Sequence, residues 1–340
     1  MLFFFFLFIF SLPIVQTQIS NLILNRVNEK LDLNINLKKA HLSYSGDVEI
    51  KNLLIKDHKN DSLIYVKEIN TSVLNLLKIN SNNFNFGLIN IVGLDLNIKT
   101  YNGEIISNLD IFGKKIQNRN KSQKLFKLTS PKLILSKSKL KVSNENKNYL
   151  KLLIFEDLNI SANNLLILGP SVQADVDFLN FQDSYGSHLI NLSTKFKYSP
   201  ENMIFSDFVI KTNKSNLSGN INLFYDKGDL KSFSDKVEIK ASLRNGFVEL
   251  CELSSYLNDY SSNDAINFDF DFSGTLNKFN LTNLNLISRT GTALEGNFYI
   301  KSLLYQFKDL FEMTGEVNKF SSSFESLSQI LPKSITKNHS

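Results

Sequence analysis

Tryptophan is absent from this chain, and cysteine occurs once, at Cys251. A lone thiol excludes an internal disulfide framework and says little about compartment. Histidine is scarce: His41, His58, His188 and His339 lack metal-ligand spacing, so surface or turn positions are expected, with no metal. No phosphate loop, dinucleotide fingerprint or nucleophile elbow occurs, so the chain reads as a non-enzyme without a cofactor. Neither sign of charge dominates. The net charge is +5, with Lys and Arg spread along polar faces. That pattern suits solubility and weak compatibility with anionic lipid, and no nucleic-acid partner is expected. Lys114, Lys115, Arg119, Lys121 and Lys124 form a basic loop without interleaved aromatics, which reads as a solvated linker. Charged residues make up 21% against 42% apolar, too few charges for a disordered chain. Alanine is sparse, while Asn, Ser, Phe, Ile and Leu are plentiful, a balance that suits strands and turns over helices.

One short pattern returns along the chain: an apolar residue, two spacers, an apolar residue, one spacer, an apolar residue. It occurs in Ile50–Ile55, Ile91–Leu96, Phe155–Ile160, Phe205–Ile210 and Leu281–Leu286. Steps of two mark one face of a strand. A step of three changes parity, which a bulge, kink or tight turn absorbs. A second signature, a small polar residue, Leu and Gly before alternating apolar residues, appears around Gly219; Gly296 has a variant of it. Recurrence several tens of residues apart predicts a stacked β array rather than a compact enzyme domain.

The first residues differ. Met1–Val15 is almost wholly apolar. As a helix it spans ~21 Å, short of the ~30 Å hydrocarbon core, and it lacks a basic flank. The expectation is a membrane anchor over residues 1–18 whose cytoplasmic start is missing, with a cleaved signal peptide as the alternative. Ile19, Leu22, Ile23, Val27 and Leu31 fall on one stripe, so 19–31 is expected as an amphipathic juxtamembrane helix.

From residue 32 to 340 the reading is β. Leu94, Leu96 and Ile98 alternate with polar residues, as do Val237, Ile239, Ala241 and Leu243, and Ile266, Phe268, Phe270 and Phe272. Each reads as a strand with one wet and one dry face, as in antiparallel sheets. Turns are expected at 101–103, 144–146, 169–170, 185–186 and 226–228. Short helices are expected near 105–113, 250–258 and 302–310, too few to cover so long a sheet. Asp57–Asp61 reads as a charged hairpin turn, and Cys251 as a buried thiol beside Leu250, Leu253 and Leu257. The dry face must close on itself, pack on a second sheet or hold something apolar. Leu94, Leu96, Ile98, Ile221, Leu223, Val237, Ile239, Ile266, Phe268, Phe270 and Phe272 are the candidate lining residues.

The stretch from Gly46 through Asn52, Ile55–His58 and Asp61–Tyr65 resembles the entry region of TamB proteins, in the Bacteroidetes branch of the AsmA-like superfamily. Ile98–Glu104, Asn108–Phe112, Asn164–Pro170 and the Ser-x-Leu-x-Gly strand fit the same order, so the likeness runs from Leu12 to about Pro332. The resemblance implies a mainly β fold: an N-terminal membrane helix, then an elongated, antiparallel, taco-shaped sheet with few short helices. It implies a single-pass inner-membrane protein, its bulk in the periplasm of a Gram-negative bacterium, offering an apolar groove for phospholipid transport toward the outer membrane. Membrane lipids are the implied partners. The alternative is an envelope assembly factor that helps insert or secrete outer-membrane proteins with a TamA-like barrel partner. Family members run much longer and end in a C-terminal domain not found here, so a fragment, a split gene or a shortened paralogue is also expected.

Overall fold

The computed structural model describes residues 17–18, 20–21, 24–25, 28–29, 32–43, 45–74, 83–117, 127–146, 152–184, 186, 188–226, 228–255, 262–302 and 311–330. The chain divides into two compact units, Met1–Gly169 with Asp177–Ser184, and Pro170–Val176 with Tyr185–Ser340.

The parity change predicts a special backbone position inside each repeat, and the backbone has one. The third residue of all five copies lies in the left-handed region: Asn52 (φ 53°), Gly93 (φ 68°), Asp157 (φ 49°), Asp207 (φ 51°) and Asn283 (φ 53°). Gly, Asn and Asp tolerate that conformation better than other residues, which explains their place in the motif. Lys137 and Asn245 adopt it too, outside the copies that sequence pattern reveals.

In the first unit, β1 (Asn34–Asn36) and β2 (Lys39–Leu42) pair with β3 (Asp47–Lys56). β3 pairs with β4 (Ser62–Ser72), and β4 with β6 (Ile89–Thr100), all antiparallel. β5 (Asn83–Asn85) and β6 both run parallel to β7 (Lys127–Asn144), which pairs antiparallel with β8 (Leu152–Leu168). The expected all-antiparallel sheet is therefore corrected to a mixed one. The cause lies after Thr100. A helix, Asn108–Gln117, interrupts the connection, and a crossover of that length returns the chain to the end from which β6 started. Alternation fixes which face a side chain takes and carries no information on strand direction.

The second unit is an antiparallel meander. β10 (His188–Tyr198), β11 (Asn202–Thr212), β12 (Asn216–Phe224), β13 (Glu238–Glu249), β14 (Ala265–Thr275), β15 (Lys278–Ser288), β16 (Ala293–Lys301) and β17 (Glu312–Ser321) pair in that order. β9 (Ser171–Asp183) is divided between the two units.

Four of the left-handed positions, Lys137, Asp207, Asn245 and Asn283, are bulges held the same way. Two residues on the bulged strand oppose one on its neighbour, and the neighbour's side-chain oxygen accepts the left-handed residue's N–H. Asn220 serves Asp207 (2.9 Å), Asp269 serves Asn245 (2.6 Å), Asn297 serves Asn283 (2.9 Å) and Asn159 serves Lys137 (3.0 Å). In the second unit the left-handed residues are evenly spaced on β11, β13 and β15, one per hairpin. Each bulge restores the apolar side chains beyond it to the face they would otherwise leave. Replacing Asn283 with Val should therefore cost about 1–2 kcal/mol, while Gly at that position should be close to neutral. Urea unfolding of the two variants checks this.

The membrane helix expected at the N-terminus is also corrected. Among the described residues no helix is long and apolar enough to cross a membrane. Residues 1–16 lie outside the described residues, as do Ile19, Leu22, Ile23, Val27 and Leu31 of the expected stripe. The expected helix near 105–113 is found at 108–117, and that near 250–258 is a 3-10 turn, Leu250–Ser255. Residues 303–310 lie outside the described set.

Candidate functional site: two apolar sheet faces and a buried polar lock

Register turns the alternating pattern into continuous rows. In the second unit one row runs Phe205, Ile221, Ala241, Phe272, Leu281, Phe298 across six strands. The next runs Leu223, Ile239, Gly274, Phe279, Ile300, Met313 from β12 to β17. Beyond the bulges, Gly246, Phe268, Leu286, Leu294 and Phe320 form another. The first unit repeats the arrangement: Ile55, Ile64, Leu96, Leu140, Phe155 in one row, and Ile50, Ile69, Ile91, Leu135, Ile160 in another.

These placements locate the sequence candidates. Ile221, Leu223, Ile239, Ile266, Phe268, Phe270 and Phe272 share the apolar face of the second unit. Leu94, Leu96 and Ile98 lie on β6 of the first, Leu94 opposite Val66 and Ile98 opposite Val142. Val237 is set apart. It sits before β13, fully buried against Leu223, Tyr225 and Ile239. Sequence reasoning missed Phe279, Leu284, Phe298 and Ile300, a buried cluster flanked by Phe270, Phe272, Leu281, Leu286 and Leu294. The signal was available: Leu281, Leu284 and Leu286 belong to the step-of-three motif, and Phe298 and Ile300 follow the second signature.

Much of the face is only half-buried, including Phe205, Phe268, Phe270, Phe272, Leu281 and Leu286. On β17 the rows emerge fully, with Met313, Val317 and Phe320 exposed. The helical segments described in this unit are short, the longest with seven residues. Their hydrogen bonds reach turns rather than strand centres. Ser234 O accepts from Asn277 N–H, Ser326 Oγ donates to Thr290 O, and Glu252 accepts from Thr212, Ser215 and the Lys214 amide. Cys251 is half-buried beside Lys214 Nζ.

The polar chemistry is concentrated at one end of the first unit. The Asp57–Asp61 segment is a turn between β3 and β4, and it is more than a solvated loop. Asp57 is buried and accepts from Asn108 Nδ2 (2.9 Å), Tyr101 Oη (2.7 Å) and the N–H groups of Lys59 (2.9 Å) and Asp61 (3.0 Å). Asn108, 1% exposed, also accepts from Lys99 N–H and donates to Asn97 O. His58 pairs with Glu104, and Lys99 lies over the Tyr101 ring and bridges to Glu145. Burial pushes the Asp57 carboxyl up, and its four donors outweigh burial and hold it below the ordinary carboxylate value. Burial first, then the neighbouring Asp57 and Asp61 carboxylates, push the Tyr101 hydroxyl well above its usual range. The network joins the β3–β4 turn to the start of the crossover helix, so it locks the element that makes β7 parallel.

A depressed carboxylate pKa has a defined linkage sign. The stability contributed by Asp57 is complete above the unfolded value near 3.8 and is lost as pH falls through the lower folded value. Asp264, buried yet held below the ordinary range by Thr290 and the Ala265 amide, acts in the same sense in the second unit. Acid titration of the unfolding midpoint should show a decline starting near pH 4, with a shallower slope for Asp57→Asn.

Among the described residues no group of His, Cys, Asp and Glu has a metal-holding arrangement. A cleft of about 340 Å³ beside the lock is lined by charged and amide groups, including Lys56, His58, Asn108 and Lys115, with Lys115 paired to Asp32. Compared with known proteins, the chain matches no family model and no curated protein.

Proposed function

We propose that the apolar sheet faces accept the acyl chains of membrane lipids, and that the protein serves as a lipid-carrying element of outer-membrane biogenesis. The carrying observation is the set of apolar rows in the second unit, half-buried at Phe205, Phe268, Phe270, Phe272, Leu281 and Leu286, of which the row from Phe205 to Phe298 crosses β11 to β16 without a polar side chain. Along β15, Phe279 to Leu286 spans roughly 23 Å, more than the ~15 Å depth of one leaflet's chains in a ~30 Å core. Each methylene withdrawn from water there gains about 0.8 kcal/mol, without any directional contact. Uniform, non-directional binding suits movement along a surface. The TamB-like order of motifs supports the same reading and would place the activity in the periplasm, between two membranes.

The test is in-cell photocrosslinking at Phe270 and Leu286, with Asn285 and Lys240 on the opposite face as controls, read by lipid mass spectrometry. Lipid adducts at the first pair alone are expected, and Phe270→Lys should abolish those at Leu286. Equal adducts at all four positions, or none in folded protein, would refute the proposal.

A further inference from the structure

Glycine recurs within the apolar rows of the second unit, and phenylalanine lies against it. Gly246 is the register partner of Phe268, Gly315 is the partner of Phe298, and Gly296 precedes Phe298 by two residues on the same face. A Cβ on Gly246 would lie 2.5 Å from Phe268 Cε2 and 2.7 Å from its Cζ. On Gly315 it would lie 2.7 Å from Phe298 Cδ1, and on Gly296 3.2 Å from Phe298 Cε2. The rings therefore recline in space that any larger residue would occupy. Gly246 has no left-handed φ, and all three of the nearest atoms its Cβ would meet belong to the Phe268 ring. Its smallness serves the ring, not the backbone. Neighbouring rings continue the low relief: Phe268 stacks on Phe270 (5.3 Å, 26°) and Phe272 on Phe279 (4.7 Å, 22°).

On the reading that this face accepts acyl chains, we infer that the Gly246–Phe268 pair is its specificity-determining element. Phe268, half-buried over Gly246, keeps the floor low and free of upright side chains, so an unbranched acyl chain lies flat along the strands, while the buried Phe298 fills the space over Gly296 and Gly315. A methyl group at position 246 lifts the Phe268 ring into that track and breaks contact on both sides of it. Backbone oxygens stand 2.2 Å and 2.3 Å from a Cβ at 296 and 315, so substitution there strains the strands, and 246 is the position where ring and backbone effects separate.

The experiment uses the full chain and the fluorescent polyene cis-parinaric acid. Losing contact with a few methylenes predicts about tenfold weaker binding for Gly246→Ala. Adding Phe268→Leu, which removes the lifted ring, should restore affinity to within about threefold of the unaltered chain. Phe268→Leu alone leaves the glycine uncovered and should weaken binding about threefold, giving a readout if Gly246→Ala fails to fold. Unchanged affinity in Gly246→Ala or in Phe268→Leu, or no rescue in the double variant, overturns the inference and leaves the acyl-chain reading standing. An unaltered chain that binds no parinaric acid overturns both.

Discussion

Asp57→Ala is expected to destabilise the first unit by about 3 kcal/mol, because it removes the buried carboxylate on which four donors converge. The Tyr101 hydroxyl retains Asp61 as an alternative acceptor at 2.8 Å, and Asn108 Nδ2 retains Asn97 O. The amides of Lys59 and Asp61 lose the Asp57 carboxylate. Asn108 is fully enclosed, so water cannot replace the missing acceptor at its amide without opening the helix start. Asp57→Asn keeps one acceptor oxygen and should cost roughly half as much. Urea unfolding gives the stabilities, and hydrogen exchange gives the location. The amides of Lys59, Asp61 and Lys99 should lose protection first, since all three are held by Asp57 or Asn108. A loss below about 1 kcal/mol would mean that the network is solvated.

Phe298→Ala should cost the second unit about 4 kcal/mol, in the upper part of the range for a buried aromatic. Such losses depend on how well the site collapses, and here collapse is blocked. Gly296 and Gly315, which the ring touches, have no side chains to move into the void, and their backbones are fixed by pairing with β17 and β16. Phe279, Leu284 and Ile300 would each lose a packed neighbour. Phe298→Leu retains most of the volume and should cost about 1.5 kcal/mol. Equal, small losses for both variants in urea unfolding would show that water already reaches the ring.

The charged turn at Asp57–Asp61 shows why part of the candidate chemistry escaped sequence reading. Its residues were visible as a turn, but its partners Tyr101 and Asn108 reach it only because the β6 strand ends beside it, and no local spacing encodes that approach. Val237 shows the opposite limit. It continues the alternation of Ile239, Ala241 and Leu243, yet it lies before the strand starts and is fully buried beside Tyr225. Phe298 was legible as an alternating residue, and its importance was not, because the glycine beneath it at position 315 comes from the next strand.

By itself the sequence determined the periodic quantities: strands with one apolar face, turns between most of them, and the step of three that marks five of the left-handed positions. Those depend on residues close in the chain and on backbone sterics, which act locally. Only the tertiary structure decided that β6 and β7 run parallel, which apolar residues align into rows, where aromatic rings recline on glycines, and how one buried carboxylate gathers four donors. Each of these depends on register and strand direction. Pairing across long loops sets both, and alternation looks the same whichever neighbour a strand acquires.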